Sequence, residues 1–227
     1  MDSFGFILFE RKTLDMHTLT TSRLGHRFGK RLLFKKMDVV FEGGTTSAIV
    51  GSNGSGKSTL VRILAGLMLP IKGDVVLKVD GKEITREMRP LSCGLVAPYL
   101  NVYSGFSPRE NLEFIAKGRH LPNATLLIDN ALEQVQLSHR ADDPVHTFSS
   151  GMIQRVRLAT ALVSDPPVLL FDEPTATLDI EGEKMVHSII ENAKKEGKIV
   201  IVATNEADEA AACERRINVE DFRTSRA

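Results

Sequence analysis

The chain is poor in cysteine and has no excess charge of either sign. Its 227 residues include two cysteines, Cys93 and Cys213, which lie far apart and lack the spacing of metal ligands. Their number and spacing argue against a fold that disulfide bonds stabilise, and they favour reduced thiols in a cytosolic setting. Because 29 basic side chains balance 29 acidic ones, nothing global indicates binding to nucleic acid or to an anionic surface. We therefore expect no nucleic-acid partner.

Long apolar runs are also missing. The longest, such as Ile199–Ala203, are the size of a strand, whereas a membrane-spanning helix needs roughly 20 apolar residues. If the protein acts at a membrane, another polypeptide must supply the spanning part. The apolar stretch Phe4–Phe9 follows Asp2 and precedes basic residues, which is the reverse of a secretory signal. We interpret residues 1–15 as an N-terminal extension, either disordered or the product of a misassigned start.

The most informative segment that is present is Gly51–Thr59, which fits the phosphate-loop pattern G-x-x-x-x-G-K-[ST]. The apolar run Ala48–Val50 precedes it as the end of a buried strand. After it, apolar residues recur with the spacing of one helix face. They are Leu60, Ile63, Leu64, Leu67 and Met68. A glycine-rich turn between a strand and a helix points backbone N–H groups and the positive helix end at one anion.

Each position of this loop therefore has an expected role in nucleoside triphosphate binding. The glycines at 51, 54 and 56 permit positive φ and a close approach to phosphates. Lys57 would reach the β- and γ-phosphates, and the Ser58 hydroxyl would hold Mg²⁺. All nine residues are candidate ATP ligands: Gly51, Ser52, Asn53, Gly54, Ser55, Gly56, Lys57, Ser58 and Thr59.

A second constellation is the apolar run Val168–Phe171 followed by Asp172 and Glu173. At the carboxyl end of a buried strand, Asp172 is placed to bind Mg²⁺ beside Ser58, directly or through water. Glu173 would orient or deprotonate the attacking water. The alternative is a strand that leaves the core with two charged residues. The phosphate loop upstream favours the metal ligand and the base.

The first part of the chain has strand character. The apolar segments Leu32–Phe34 and Val39–Phe41 predict antiparallel strands. Val75–Val79 followed by Asp80–Gly81 predicts a hairpin.

Helical spacing dominates residues 109–140, where a second helix fits Thr125–Leu137. Strand segments then return, separated by a helix at Val186–Lys195, and Ile199–Ala203 is the last buried strand. This alternation predicts an α/β fold. Together with the phosphate loop, it predicts the core of a P-loop NTPase, a mostly parallel sheet flanked by helices, with an antiparallel β subdomain. A helical subdomain is inserted at about residues 99–164.

The segment Phe148–Arg155 leads directly into a predicted helix. Ser149, Ser150 and Gly151 can be read simply as an N-cap. A helix N-terminus with hydroxyl groups also binds a γ-phosphate well. One chain cannot easily present both this helix and Lys57 to the same phosphate, whereas a second subunit could.

Four ordered motifs across residues 20–218 make the chain resemble the nucleotide-binding subunit of an ATP-binding cassette (ABC) transporter. Gly51–Thr59 matches the Walker A motif, and Val168–Glu173 matches Walker B with its catalytic glutamate. Phe148–Met152 occupies the place of the signature motif, with only Ser149 and Gly151 strictly kept.

Two further positions fit the same family. Ala176–Asp179 resembles the loop that crosses the dimer interface. Phe28 aligns with the aromatic residue that stacks on adenine, and its alternative is an ordinary core aromatic at a strand end.

The resemblance implies a single ATPase domain at residues 16–222 that works as a head-to-tail dimer, homomeric or heteromeric, around two ATP molecules and Mg²⁺. The signature residues Ser149, Ser150, Gly151 and Met152 would contact ATP across that dimer. Hydrolysis would drive a separate integral membrane permease, with the cassette cytoplasmic and peripheral on the inner face of the cell membrane.

The segment Ala141–Thr147 is most similar to export-type cassettes. These include drug and polysaccharide exporters and the haem exporter subunit of cytochrome c maturation. Two alternatives stay open: a soluble cassette ATPase without a transport role, and a nucleotide-gated module with weak turnover.

Two positions depart from the family pattern. The glutamine expected near Mg²⁺ and the attacking water is replaced by Pro98, which has no amide side chain. The histidine expected after the last strand is replaced by Asn205, which can hydrogen-bond a γ-phosphate oxygen but cannot become positively charged. We keep Asn205 as a catalytic candidate beside Glu173.

Overall fold

The computed structural model describes residues 17–223. The predicted extension, residues 1–15, lies outside them. In chain order the strands are β1 (Thr18–Phe28), β2 (Arg31–Glu42), β3 (Thr46–Val50), β4 (Lys72–Val79), β5 (Lys82–Ile84), β6 (Cys93–Val96), β7 (Val168–Asp172), β8 (Ile199–Ala203) and β9 (Arg215–Asn218). The helices are α1 (Lys57–Leu64), α2 (Pro108–Gly118), α3 (Ala124–Gln134), α4 (Ser150–Leu162), α5 (Ile180–Lys195) and α6 (Ala207–Ala211).

One sheet is antiparallel, with strand order β2-β1-β4-β5. The segments Leu32–Phe34 and Val39–Phe41 are two parts of a single long strand, β2. Lys36 has a φ of 52°, and the pairing of β1 with β2 shifts register nearby. A bulge of this kind absorbs an interruption in the apolar alternation without ending the strand. The hairpin at Asp80–Gly81 is confirmed, with both residues at positive φ between β4 and β5.

The second sheet has strand order β6-β7-β8-β3-β9, and all its neighbouring strands are parallel. The predicted α/β fold class is confirmed. Because parallel strands share the direction of their carboxyl ends, the residues that follow β3, β7 and β8 meet at one edge. This edge carries the phosphate loop, Asp172 and Asn205.

The predicted buried strand Ile199–Ala203 is β8, and all five of its residues are buried, but one further and mostly exposed strand, β9, follows it at the sheet edge beside β3. Arg215 and Arg216 of β9 are exposed, and only Ile217 is buried. One buried apolar residue in four gives no periodic signal in the sequence.

The helix after the phosphate loop is shorter than its apolar stripe predicts. α1 ends at Leu64, and Gly66 beyond it has a φ of 80°. A left-handed glycine at this place ends a helix. Leu67, expected on the inner face, is 56% exposed as a result.

Two other helix ends also differ from the predictions. α3 stops at Gln134 rather than Leu137, since Gln136 takes a φ of 59°. α5 begins at Ile180 rather than Val186, because the Asp179 carboxylate caps it by accepting a hydrogen bond from the Gly182 N–H, at 2.8 Å.

Alternate side chains of the central strands pack into two separate hydrophobic clusters. In β7, Leu169 and Phe171 face a cluster formed with α2 to α5, whereas Val168 and Leu170 face a cluster with α1 and the antiparallel sheet. Successive strand residues point to opposite faces, so the helical segment covers one face and the antiparallel sheet with α1 covers the other. The boundaries 16–222 and 99–164 stay predictions. Within residues 17–223, no helix has the length and apolar character to cross a membrane.

Candidate nucleotide-binding site

The phosphate loop connects β3 to α1 at the carboxyl edge of the parallel sheet. The φ angles of Gly51, Gly54 and Gly56 are 148°, 72° and 113°. A Cβ on Gly51 would lie 2.7 Å from the Ser55 hydroxyl oxygen. The positive φ angles predicted at these glycines are therefore present, and side chains would clash or strain the turn.

Groups from outside the motif brace the loop. The Ser52 hydroxyl donates to the Glu220 carboxylate at 2.5 Å, and this bond is the main reason that the pKa of Glu220 is lowered. Arg223 donates to the Ser55 carbonyl oxygen at 3.0 Å. Arg31 donates to the carbonyl oxygen of the loop's middle glycine at 2.7 Å. Ser52 is thus bonded to the turn that follows β9, whereas Asn53, Gly54 and Gly56 line the cavity described below.

Lys57, the first residue of α1, is 6% exposed and folds back along the loop. Its ammonium group donates to the Gly51 carbonyl oxygen at 2.9 Å and to the side-chain oxygen of Asn205. The cation is therefore held at the mouth of the glycine-rich turn, where a phosphate group would bind.

Asn205 connects Lys57 to Glu173. Its amide nitrogen donates to Glu173 at 3.0 Å and to the side-chain oxygen of Asn53 at 2.5 Å. Glu173 has a φ of 51°, an uncommon value for a residue with a side chain, and its N–H donates to Ala203 at 2.8 Å. Strained backbone of this kind concentrates at functional sites.

Asp172 ends β7 and is 2% exposed. Burial raises its pKa above the ordinary value, a hydrogen bond from Ser58 opposes that shift, and the charge of Glu173 adds to it. One carboxylate oxygen, Oδ2, has no hydrogen-bond partner in the described part of the chain. A buried oxygen without a partner is costly, and it suits a site that binds a cation.

Phe28 lies at the end of β1 and is 52% exposed. It lines a cavity of about 340 Å³ together with Arg31, Leu33, Glu173 and residues of the phosphate loop, Thr59 included. His26 packs edge-on against the ring at 5.1 Å between centroids. This exposure does not fit the alternative of a core aromatic, and it leaves the ring free to stack on a base.

The signature residues lie in a different cavity of about 440 Å³. Ser149, Ser150, Gly151 and Met152 line it together with Asp179 and others. Ser149 caps α4 by accepting from the Met152 N–H at 3.3 Å. The cap reading is confirmed. Within residues 17–223, phosphate-loop residues and signature residues therefore line two separate cavities.

Comparison with known proteins assigns the chain to a family. The family model described as ABC transporter matches residues 34–176. The chain belongs to the ABC transporter family. Its fold and its assignment as an ATPase of that family are thereby confirmed.

Several curated proteins are similar to this cassette. It is 30% identical over 187 residues to an uncharacterized ABC transporter ATP-binding protein, YybJ, of Bacillus subtilis, covering 82% of this chain and 84% of that one. It is 30% identical over 196 residues to the cytochrome c biogenesis ATP-binding export protein CcmA of Haemophilus influenzae, covering 85% and 91%. It is 31% identical over 207 residues to a daunorubicin resistance ATP-binding protein of Streptomyces coeruleorubidus, covering 89% of this chain and 65% of that longer one.

Solved structures share the fold. A putative ABC transporter ATP-binding protein from Pyrococcus furiosus aligns with a TM-score of 0.77 at 23% identity, covering 91% of the cassette and 100% of that chain. The ATP-binding cassette MJ0796, a dimer in a post-hydrolysis state with ADP and phosphate bound, aligns with a TM-score of 0.78 at 24% identity, covering 92% and 97%.

The two departures from the family pattern occupy different places in the cassette. Asn205 is inside the site, as described above. Pro98 is exposed after β6 and contributes no side chain to the site. The next residue, Tyr99, turns inward, where its ring stacks under Arg62 of α1 at 3.8 Å.

Sequence reasoning missed Arg31, Glu220 and Arg223, whose side chains bond the phosphate loop. They are distant from the motifs along the chain, and no spacing rule links them.

Proposed function

We propose that this chain is the ATP-hydrolysing subunit of an exporter whose separate membrane permease carries the cargo. The observation that supports it most is the meeting of Lys57, Glu173 and Asn205 beside the buried Asp172. These residues supply a cation for the phosphates, a candidate base, an amide donor and a carboxylate. Together they fit the hydrolysis of a nucleoside triphosphate.

Mg²⁺ fits the pair Ser58 and Asp172. Mg²⁺ prefers oxygen ligands, and the unpartnered carboxylate oxygen of Asp172 offers one at a place where burial penalises a bare negative charge. Ser58 and Asp172 would hold the ion, directly or through water. When bound, Mg²⁺ neutralises charge on the β- and γ-phosphates.

Glu173 orients or deprotonates the attacking water. Its side chain is half-buried and accepts a hydrogen bond from Asn205, which fixes the carboxylate next to the Lys57 cation. Asn205 donates a hydrogen bond where the γ-phosphate binds, without adding positive charge. We therefore expect turnover below that of a cassette with histidine at this place.

A second cassette completes each site. Ser149–Met152 lie at an exposed N-terminus of α4, in a cavity separate from the phosphate loop. In a head-to-tail dimer, with an identical or a different partner, this helix end would face the γ-phosphate held by the other chain. Dimeric assembly of the structurally similar cassette MJ0796 supports this arrangement.

The permease docks, in this proposal, at a groove of about 320 Å³ near the end of α1, β6 and α2. Leu67, Leu95, Phe114 and Ile115 are among its lining residues, and Leu67 and Phe114 are 56% and 55% exposed. A concave apolar surface of this kind suits a short amphipathic helix from the permease. Docking there would hold the cassette at the cytoplasmic face of the membrane.

Export is the transport direction that the relatives favour. The Haemophilus influenzae relative is named as an export protein, and others are named for daunorubicin resistance and lantibiotic transport. A soluble cassette without a transport role has no comparable support.

The test is an ATP hydrolysis assay on the purified full-length chain with Mg²⁺. We expect Lys57→Ala to abolish turnover and ATP binding, because it removes the cation that meets the β- and γ-phosphates. Lys78→Ala is the matched control, since Lys78 is exposed on β4, and it should behave as wild type. Unchanged ATP affinity in Lys57→Ala would contradict the site.

The transport role is tested separately. A tagged chain purified from detergent-solubilised membranes should retain an integral membrane protein, and Phe114→Glu should release it without lowering ATP affinity. Active ATPase that never associates with membranes would favour the non-transport alternative.

A further inference from the structure

Arg31 faces Phe28 across the hairpin that joins β1 to β2. The two residues are directly opposite each other in the antiparallel register, at the last pair before the turn. Opposite residues of an antiparallel pair project their side chains to the same face of the sheet, with Cβ atoms about 5 Å apart. Both residues line the nucleotide cavity. The Arg31 side chain is therefore a neighbour of the ring predicted to stack on adenine.

The same side chain also reaches the phosphate loop. The Nη2 atom of Arg31 donates to the Gly54 carbonyl oxygen at 2.7 Å. A Cβ on Gly54 would lie 3.1 Å from that nitrogen, so the absence of a side chain at this position makes room for the guanidinium. Arg31 thus connects the predicted adenine site to the loop that would bind the β- and γ-phosphates.

Most of the donor capacity of Arg31 is left for a ligand. A guanidinium carries five N–H donors. In the described part of the chain, the Arg31 guanidinium makes one hydrogen bond, to Gly54, and no ion pair with a carboxylate. Lys57, a second cation that lines the cavity, already donates to Gly51 and Asn205. The remaining N–H groups of Arg31 are available to an anion that binds in the cavity.

We propose that Arg31 binds the α-phosphate of the nucleotide. This inference rests on the proposed function. In ATP, the ribose and the α-phosphate connect the base to the β-phosphate, and of these two groups only the α-phosphate is an anion. A guanidinium that neighbours Phe28 and bonds the phosphate loop is placed at that anion, and its parallel N–H groups suit phosphate oxygens. Because ADP also has an α-phosphate, the contact contributes to the binding of both nucleotides.

The first experiment measures the affinity of the full-length chain for ATP and for ADP in EDTA. Arg31→Met removes the guanidinium but keeps an unbranched side chain. We expect about a tenfold loss for both nucleotides, the lower end for a charge-assisted hydrogen bond, since Arg31 is exposed to solvent and salt. Arg31→Lys keeps the charge without the parallel donors, so its affinity should fall between the two.

The matched control is Arg27→Met. Arg27 is exposed on β1 and lies outside the lining of the nucleotide cavity, so this variant removes the same charge from the neighbouring surface. Its affinity for both nucleotides should equal that of the wild type.

The second experiment separates a contact with the α-phosphate from bracing of the loop through Gly54. It uses the two diastereomers of ATPαS, in which sulfur replaces one or the other non-bridging oxygen of the α-phosphate. Sulfur is a weak hydrogen-bond acceptor, so at least one isomer should bind the wild-type chain more weakly than ATP does in EDTA. Arg31→Met should reduce that difference, whereas Arg27→Met should keep it.

The outcomes separate the two levels of inference. The proposal is overturned by unchanged ATP affinity in Arg31→Met, by a loss for ATP without a loss for ADP, or by an equal loss in Arg27→Met. A sulfur effect as large in Arg31→Met as in the wild type would show that Arg31 only braces the loop. If the wild-type chain binds neither ATP nor ADP, the proposed function falls, and the role of Arg31 falls with it.

Discussion

Asn205 makes three hydrogen bonds in the site, which only an amide side chain can do in this arrangement. It accepts from Lys57 and donates to both Asn53 and Glu173. A neutral histidine offers one donor and one acceptor, and a protonated one offers two donors. The replacement of histidine by asparagine therefore changes what Lys57 can bond to, besides removing a charge.

We expect Asn205→His to raise kcat, by about twofold to tenfold. The substitution removes the oxygen that bonds Lys57 and adds a donor to the γ-phosphate that can carry positive charge. Steady-state ATP hydrolysis measures the effect, with Asn205→Ala as the control that frees Lys57 but adds no donor. If the histidine variant is neutral or slower while the parent turns over briskly, Asn205 is a working substitute.

The buried carboxylate of Asp172 gives a prediction that depends on pH. Because its folded pKa is raised, the folded chain binds more protons than the unfolded chain between the two pKa values. The free energy of unfolding therefore falls as pH rises through that window, and the penalty persists at neutral pH. We expect Asp172→Asn to melt a few degrees higher than wild type at pH 7 in EDTA.

Thermal melts with and without Mg²⁺ and ATP check this prediction. The asparagine variant should lose the additional stabilisation that Mg²⁺ gives the wild type with ATP. Its advantage in EDTA should shrink as the pH falls below the folded pKa. Equal melting temperatures at pH 7 in EDTA would show that the buried charge costs nothing.

Among the secondary-structure elements, α2 is stabilised at its N-terminus by a pair of reciprocal side-chain hydrogen bonds. The Ser107 hydroxyl accepts from the Glu110 N–H at 3.2 Å, and the Glu110 carboxylate accepts from the Ser107 N–H at 2.8 Å. This capping box satisfies two backbone donors that the helix itself leaves free. The helix carries Phe114 and Ile115 into the proposed docking groove.

Ser107→Ala should lower the free energy of unfolding by about 1 kcal/mol, since it removes one half of the box. Urea denaturation monitored by circular dichroism measures the change. Ser104→Ala is the control, because Ser104 is exposed and lies outside the helix. A loss in Ser104→Ala as large as in Ser107→Ala would refute the capping argument.

Element ends were the weakest part of the sequence prediction, and particular backbone angles explain why. α1 and α3 stop earlier than their apolar spacing indicates, at places set by left-handed Gly66 and Gln136. α5 starts earlier because Asp179, read only as part of an interface loop, also caps it. Periodicity reports which residues face the core, whereas caps and left-handed residues decide where hydrogen bonding ends.

At the scale of the whole molecule, the phosphate loop and the signature helix line separate cavities, and the proposed head-to-tail dimer would bring them together. Glu173→Gln should keep ATP binding, because the amide preserves the shape, but it should stop hydrolysis by removing the base. The stalled cassette should then accumulate as an ATP-bound dimer in size-exclusion chromatography with ATP and Mg²⁺.

A second substitution controls for non-specific association. In the Glu173→Gln background, Ser149→Arg places a bulky charged group at the exposed helix end, and it should return the chain to monomer. If Glu173→Gln alone stays monomeric while it binds ATP, this chain pairs only with a different cassette.

The sequence by itself determined those parts of the site that are built from a few consecutive residues. A glycine-rich loop between a strand and a helix, and two acids after an apolar strand, create their sites within a few residues, so spacing reveals them. The tertiary structure alone decided what meets across the sheet edge: Asn205 against Lys57 and Asn53, Glu220 against Ser52, and Tyr99 against Arg62. It also decided that β9 completes the sheet. Such contacts join residues far apart in the chain, and they exist only once parallel strands bring their carboxyl ends together.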